Sequence, residues 1–293
     1  MPVRLLLLTA RPDLPANHEL ARAAAAAGAD LVAVDSTRAV AGCGPPSITS
    51  EGRELLEPRP DGVLARVGNW RPESSLALLE VAVGAGAATP NPPSALRSAR
   101  DHWRTVRRLG EAGLPIPESL AGADPEVLAT AAWARLGRAV VVKQRRSRMG
   151  VGTIRCSSLD HLQAVLDSLW RVGDEIMVQR FVPTDGTSLR LVVAGQQVVA
   201  AARFRAPAGE WRSNAARGGT VEPWAPGGSH LLLAREAARV LGLGQCAVDL
   251  LPAAEGPVIC DVNPTPGFRA LSAAVDVDVA AALVGHLIGL ARS

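Results

Sequence analysis

The chain opens on an unbroken apolar run, Val3 to Thr9, closed by Arg11-Pro12-Asp13. A run of that length ending in turn residues predicts a strand buried on both faces. An alanine-rich stretch, Asn17–Ala27, stops at Gly28 and predicts a helix with a C-terminal stop signal. Leu31–Val34 and Gly62–Val67 read as two further strands separated by a polar, proline-containing stretch, and Ser74–Ala85 reads as a helix. This β-α-β alternation predicts a small open α/β domain with its binding loops at the carboxyl ends of the strands.

The pattern changes at Thr89-Pro90-Asn91-Pro92-Pro93, a proline-rich joint between domains. One long helix, Ala95–Ala112, is predicted next, closed by Gly113, and then a strand-entry loop over Leu114–Ser119. Ala139–Gln144 is an apolar strand that runs into an Arg/Gly loop, Arg145–Gly152, and Thr153–Cys156 continues as a strand. Ser158–Trp170 reads as a helix opened by a serine cap, and Glu175–Val182 as a strand. The last third reads as meandering β structure: Ser188–Val193, Gln197–Arg205, and a hairpin of Cys246–Pro252 with Val258–Val262. Helices are predicted at Leu231–Leu241 and Val277–Ala291.

At 293 residues the chain suits about two domains and can build a sizeable core. Its 48% hydrophobic and 20% charged residues are the balance of a soluble globular protein and exclude a disordered or fibrous chain. Six Trp, three Phe and no Tyr leave few platforms for stacking bases, and a net charge of +3 without a basic tail implies neither a nucleic-acid nor a membrane partner. Cys43, Cys156, Cys246 and Cys260 show no C-x-x-C spacing, which predicts reduced thiols and a cytoplasmic protein. The first apolar run is too short for a signal or membrane segment.

Three groups of residues can do chemistry. Lys143, the only lysine in the chain, ends an apolar strand, where a cation is costly unless an anion meets it. The loop after it carries Gly150 and Gly152, which let backbone N–H groups approach phosphate oxygens. Asp249 lies on one apolar strand, while Asp261 and Asn263, two apart on the next, share a face. Three oxygen side chains on such a platform suit magnesium; the plainer alternative is an aspartate bonded to loop backbone and a turn asparagine before Pro264. Arg203 and Arg205 alternate on one strand ahead of Arg212, Asn214 and Arg217, guanidinium groups able to pair with carboxylate or phosphate, or simply a solvated basic loop.

The blocks VVVK (140–143), VQRFV (178–182), WRSNAARGG (211–219), AVDLL (247–251) and DVNPTPGF (261–268), with GVLARVGN and SARDHWRT upstream, resemble the ATP-grasp carboxylate–amine ligases. The likeness covers essentially the whole chain and is closest to the RimK and LysX branch. It implies an ATP-grasp fold of mixed α/β and α+β character: an N-terminal open α/β domain over 1–90, a central subdomain with a phosphate flap over 91–178, and a C-terminal subdomain with the metal site over 179–293. It implies ATP and Mg2+ (or Mn2+) as cofactors, and an acylphosphate route to a peptide bond.

In that resemblance Lys143 and His102 meet phosphates, with Gly150 and Gly152 in the flap. Gln179, Arg180, Phe181 and Val182 form the hinge that reads adenine, and Ser188, Arg212, Ser213 and Asn214 also meet the nucleotide. Asp249, Asp261 and Asn263 are the metal ligands. Arg190, Arg203 and Arg217 are the catalytic arginines near the phosphates and the incoming acid. The sequence departs from the family pattern at His102, where lysine is usual, at Asp261, where glutamate is usual, and at Ser188, where an acid often binds ribose. The acceptor implied is an amino acid, a peptide or a carrier protein, and the assembly a homo-oligomer, dimer or tetramer. A fold that binds nucleotide without turnover is the alternative; a dinucleotide oxidoreductase is opposed by Thr9-Ala10-Arg11-Pro12, where a glycine fingerprint would stand.

Overall fold

The computed structural model describes residues 2–146, 152–173, 175–213 and 218–293. Gly150, Asn214 and Arg217 lie outside the described residues.

The first third runs β1 (Val3–Thr9), α1 (Pro15–Ala26), β2 (Ala29–Asp35), the short strands β3 (Ala39–Gly42), β4 (Ser47–Ser50) and β5 (Arg53–Glu54), then β6 (Gly62–Arg66) and α2 (Pro72–Gly84). β1 pairs in parallel with β2 and β6, and its four leucines, Leu5–Leu8, are wholly buried because helices or sheets cover both faces. The polar stretch between β2 and β6 is more ordered than its composition predicts. It forms an antiparallel sheet, β3-β4-β5, that seats Ile48 in the second core of this region.

The single helix expected over Ala95–Ala112 is two, α3 (Pro93–Ala99) and α4 (His102–Glu111). No proline or glycine breaks it. The interruption is at Asp101, whose buried carboxylate accepts the Arg104 backbone N–H as an N-cap and pairs with Arg145, 2.6 Å away. The tertiary ion pair overrides a good helical stretch.

Next come β7 (Ser119–Ala121), α5 (Pro125–Leu136), β8 (Val140–Gln144), β9 (Thr153–Cys156), α6 (Leu159–Arg171) and β10 (Ile176–Arg180), forming an antiparallel sheet in the order β7-β10-β8-β9. α5, absent from the sequence expectations, is announced by Asp124-Pro125: the aspartate caps Val127 N–H and the proline fills the first turn. α5 and α6 cover one face of this sheet through Val140, Val142 and Val178. The other face carries Val141, Lys143 and, at their register partners, Met177 and Gln179.

β11 (Thr187–Ala194), β12 (Gln197–Arg205), β13 (Thr220–Pro223), α7 (Gly228–Leu241), β14 (Gln245–Ala253) and β15 (Gly256–Asn263) follow, then α8 (Arg269–Val275) and α9 (Val279–Arg292). The five strands are antiparallel in the order β13-β12-β11-β14-β15. α7 packs one face through Leu189, Leu191, Ala201 and Val248; α8, α9 and α1 pack the other at Val192, Ala202 and Ala247. The proline-rich joint is fastened to this sheet. Buried Asn91 donates to the Gln245 and Pro264 carbonyls at 2.8 and 3.0 Å and accepts the Gln245 N–H at 3.0 Å.

Candidate active site

Antiparallel register aligns side chains across the C-terminal sheet. Ala202, Arg190, Asp249 and Asp261 are consecutive partners across β12, β11, β14 and β15, so they form one row. Ser188, two residues from Arg190, and Asn263, two from Asp261, extend the same face. This face is apolar where α8 and α9 cover it and polar at the end that is left open.

Each acid of the row has a nitrogen-bearing side chain beside it. Arg190 holds Asp249 with a two-pronged contact, Nε to Oδ1 at 2.6 Å and Nη2 to Oδ2 at 2.7 Å, and its guanidinium lies over the Phe204 ring, 5.2 Å from the centroid. Burial pulls the Arg190 pKa down, but the charge and hydrogen bonds of Asp249 together with the Asp261 charge more than offset it and the net shift is upward, so this arginine stays charged. His102, the first residue of α4, places Nδ1 3.1 Å from Asp261 Oδ1. Burial pushes Asp261 up; the His102, Lys143 and Arg190 charges more than compensate and bring its carboxyl down to about 2.

Lys143 comes from the other sheet. Its Nζ donates to the Cys260 carbonyl at 3.3 Å. That carbonyl is presented by an irregularity in the β14–β15 ladder: Asp249 pairs with Asp261 and Leu250 with Ile259, which leaves Cys260 without an opposite residue. The Cys260 thiol, buried beside these charges, is pushed up to about 12. The only lysine of the chain thus meets the acidic row edge-on, through backbone.

The remaining expected residues are distributed unevenly. Gln179 is buried and donates to Ser119 Oγ at 3.0 Å, bracing β10 against β7. Arg180 turns away to Glu118, 2.7 Å, and its backbone N–H is taken by the Glu118 carbonyl. Phe181 stands edge-on to Trp211, centroids 5.8 Å apart, with Arg155 4.0 Å over its ring, and Val182 follows it in the chain. Ser188 and Ser213 share a 2.6 Å hydrogen bond. Arg212 is held by Glu210 and donates to the Thr153 carbonyl at 3.1 Å, tying its loop to β9 beside Gly152. Asn263 Oδ1 accepts the Thr265 N–H at 2.9 Å, the turn role its position before Pro264 allowed.

Arg203 is separated from Arg190. It pairs in register with Leu189, on the face covered by α7, whereas Arg190 pairs with Ala202 on the open face. Arg203 and Arg205 do share a face, but it is the wrong one for the row, and Arg205 pairs with Glu222. Arg145, expected only as the start of the Arg/Gly loop, bonds Asp101 and Glu175, and its carbonyl accepts the His102 N–H at 2.8 Å. Its position two residues after Lys143 was the available signal.

Two carboxylates and one amide oxygen on one face are hard donors of the kind magnesium takes, together with phosphate oxygens. Among the described residues no three His, Cys, Asp or Glu side chains form a closed cage, and Asp249, Asp261 and Asn263 each have a side-chain oxygen partnered within the protein. A cavity of about 780 Å3, lined by Phe181, Val182, Leu232, Leu233 and Val258, lies beside α7 and includes no residue of the row.

Residues 99–287 match the RimK-like ATP-grasp domain family. A protein of Thioalkalivibrio sulfidiphilus named "Probable alpha-L-glutamate ligase" is 31% identical over 99% of this chain and 97% of its own length. A RimK domain ATP-grasp protein from Sphaerobacter thermophilus superposes with a TM-score of 0.76 at 25% identity, covering 98% of this chain and all of that one. The ATP-grasp ligase PsnB, solved "complexed with minimal precursor, Mg, and ADP", gives 0.76 at 21% identity over 99% and 97% of the two chains. The chain belongs to the RimK-like ATP-grasp family. It is an ATP-dependent carboxylate–amine ligase that forms C–N bonds.

Proposed function

We propose that this ligase joins an amino acid such as glutamate to a peptide or protein acceptor, with the charged row as its reaction centre. The observation that carries the reading is the approach of Lys143 Nζ to Cys260 O, which sets the only lysine against Asp249, Asp261 and Arg190. The glutamate ligase name of its relative and the precursor bound to PsnB support an amino acid and a peptide as the two substrates.

A carboxylate does not condense with an amine in water, because the leaving group would be oxide. Attack of a carboxylate oxygen on the γ-phosphorus of ATP expels ADP and gives an acylphosphate. The amine nitrogen then attacks the carbonyl carbon, phosphate departs, and the new amide nitrogen loses its proton. Such phosphoryl transfer needs placement and positive charge more than a covalent nucleophile. In this proposal Lys143 and Arg190 supply that charge from the two sheets. Magnesium, on Asp249, Asp261 and Asn263, would neutralise phosphate oxygens; manganese would fit the same donors. Phe181 and Val182 line the adenine side, Ser188 with Ser213 the ribose side, and Arg212 fixes the loop between them. The chain works as a homo-oligomer in the cytoplasm.

The test is mass spectrometry of products from a panel of amino acids and peptides, with ADP measured alongside. A product heavier by one amino-acid residue, formed in step with ADP, is expected. ADP release with no panel member modified would reject the peptide acceptor.

A further inference from the structure

Two carboxylates at directly opposed strand positions repel, and Asp249 and Asp261 are such a pair. The repulsion is relieved by side chains of the protein itself, two of which touch the carboxylates directly. Arg190 occupies both oxygens of Asp249 with a planar, permanently charged fork. The contact at Asp261 is of a different kind: a single imidazole nitrogen at one oxygen, 3.1 Å away. Of the two, the second is the one a divalent cation can replace.

The imidazole is nevertheless well placed. His102 begins α4 directly after its capping residue Asp101, its backbone N–H is fixed on the Arg145 carbonyl, and Asp101 itself is pinned by Arg145. α4 packs against β15 and α7. The backbone of His102 is therefore locked beside the metal strand, and only side-chain rotation separates its ring from Asp261.

We infer, resting on the ligase reading above, that His102 is a positioning residue that stands in for the metal: it satisfies Asp261 until nucleotide arrives, so that a divalent cation binds with the nucleotide and poorly without it. A cation arriving alone must break the imidazole contact while facing the charges of Arg190 and Lys143. A cation arriving with a polyphosphate brings negative charge that Lys143, Arg190 and the released imidazole can meet. The consequence is a site that does not fill with free metal.

The experiment measures Mn2+ binding by electron paramagnetic resonance, with and without ADP, in the wild type, His102→Ala and His102→Gln. The wild type should bind Mn2+ at least about a hundredfold more tightly with ADP than without, and His102→Ala should bind free Mn2+ about tenfold more tightly than the wild type, the size of effect that neighbours of metal ligands exert. His102→Gln, which keeps a donor for Asp261, should return toward wild-type behaviour; a role in stability alone would not produce that order. Equal wild-type affinity with and without ADP overturns the inference, and this needs no variant to fold. Unchanged free-metal affinity in His102→Ala, with ADP still bound, overturns it while leaving the ligase reading intact. Failure of the wild type to bind Mn2+ and ADP together overturns both.

Discussion

Arg190 and Asp249 face each other from neighbouring antiparallel strands and make two hydrogen bonds, of 2.6 and 2.7 Å, in the middle of the charged row. Both side chains are largely buried, at 20% and 14% exposure. Removing one member leaves the other charge stranded, a loss of about 3–5 kcal/mol, whereas replacing both with apolar residues of similar volume costs far less. Urea denaturation of Asp249→Ala should show the larger loss and of Arg190→Met/Asp249→Leu the smaller. Equal losses would mean that the pair is solvated.

Lys143 is expected to matter to turnover and little to folding. Its one described side-chain contact is a part-buried bond to a carbonyl, worth about 1.5–3 kcal/mol at most for a charged donor. Loss of a preorganised charge at a reaction centre costs about a hundredfold or more in rate. Lys143→Ala should keep its circular dichroism spectrum and lose ADP formation by that factor. A variant that forms ADP at the wild-type rate would remove Lys143 from the reaction.

The loop of Arg212 gives a pH prediction. The Arg212 guanidinium, with the backbone N–H groups of Arg212 and Trp211, brings Glu210 from its ordinary 4.5 to about 2 against the opposite push of burial. A depressed carboxylate contributes stability that is fully present above its unfolded value and is lost as pH falls through the folded one. The difference in denaturation midpoint between wild type and Glu210→Gln should therefore be constant from pH 8 to pH 6 and shrink from about pH 4.5 toward pH 2. A difference that grows on acidification would contradict this pairing.

The thiols should divide one against three. Burial pushes Cys156 to about 11 and Cys246 to about 12, and Cys260 also to about 12, whereas Cys43 is exposed. Only thiolate reacts readily. A chromogenic disulfide at pH 8 should modify one thiol quickly and all four only after denaturation; fast loss of two or more in the native protein would contradict the burial of the others.

Much of this was legible in the chain because apolar runs encode strands whatever their partners. Leu5–Leu8, Val140–Val142 and Ala247–Val248 needed no context to be read. The fold and the family also followed from local blocks such as AVDLL and DVNPTPGF. What escaped was set by partners distant in sequence. β3, β4 and β5 are too short and polar to carry a period, and the break before α4 exists because Asp101 meets Arg145. The pairing of Arg190 with Asp249, and the exile of Arg203 to the α7 face, are matters of register, which alternation on one strand cannot supply. His102 was visible as a departure from a pattern, but its partner Asp261, at the far end of the chain, was not.

The core of the central sheet is built from residues 120–178 alone, and its described ties at the cleft are polar: Lys143 to Cys260, Arg145 to Asp101, Arg212 to Thr153. The first third, by contrast, is riveted to the C-terminal sheet by Asn91 and by Arg66, which donates to the Pro266 carbonyl. The first third thus shares a core with the C-terminal sheet, whereas the central sheet has one of its own. Among the described residues the core of the central sheet draws on no residue outside 120–178, so its packing does not depend on how closely the C-terminal sheet approaches it.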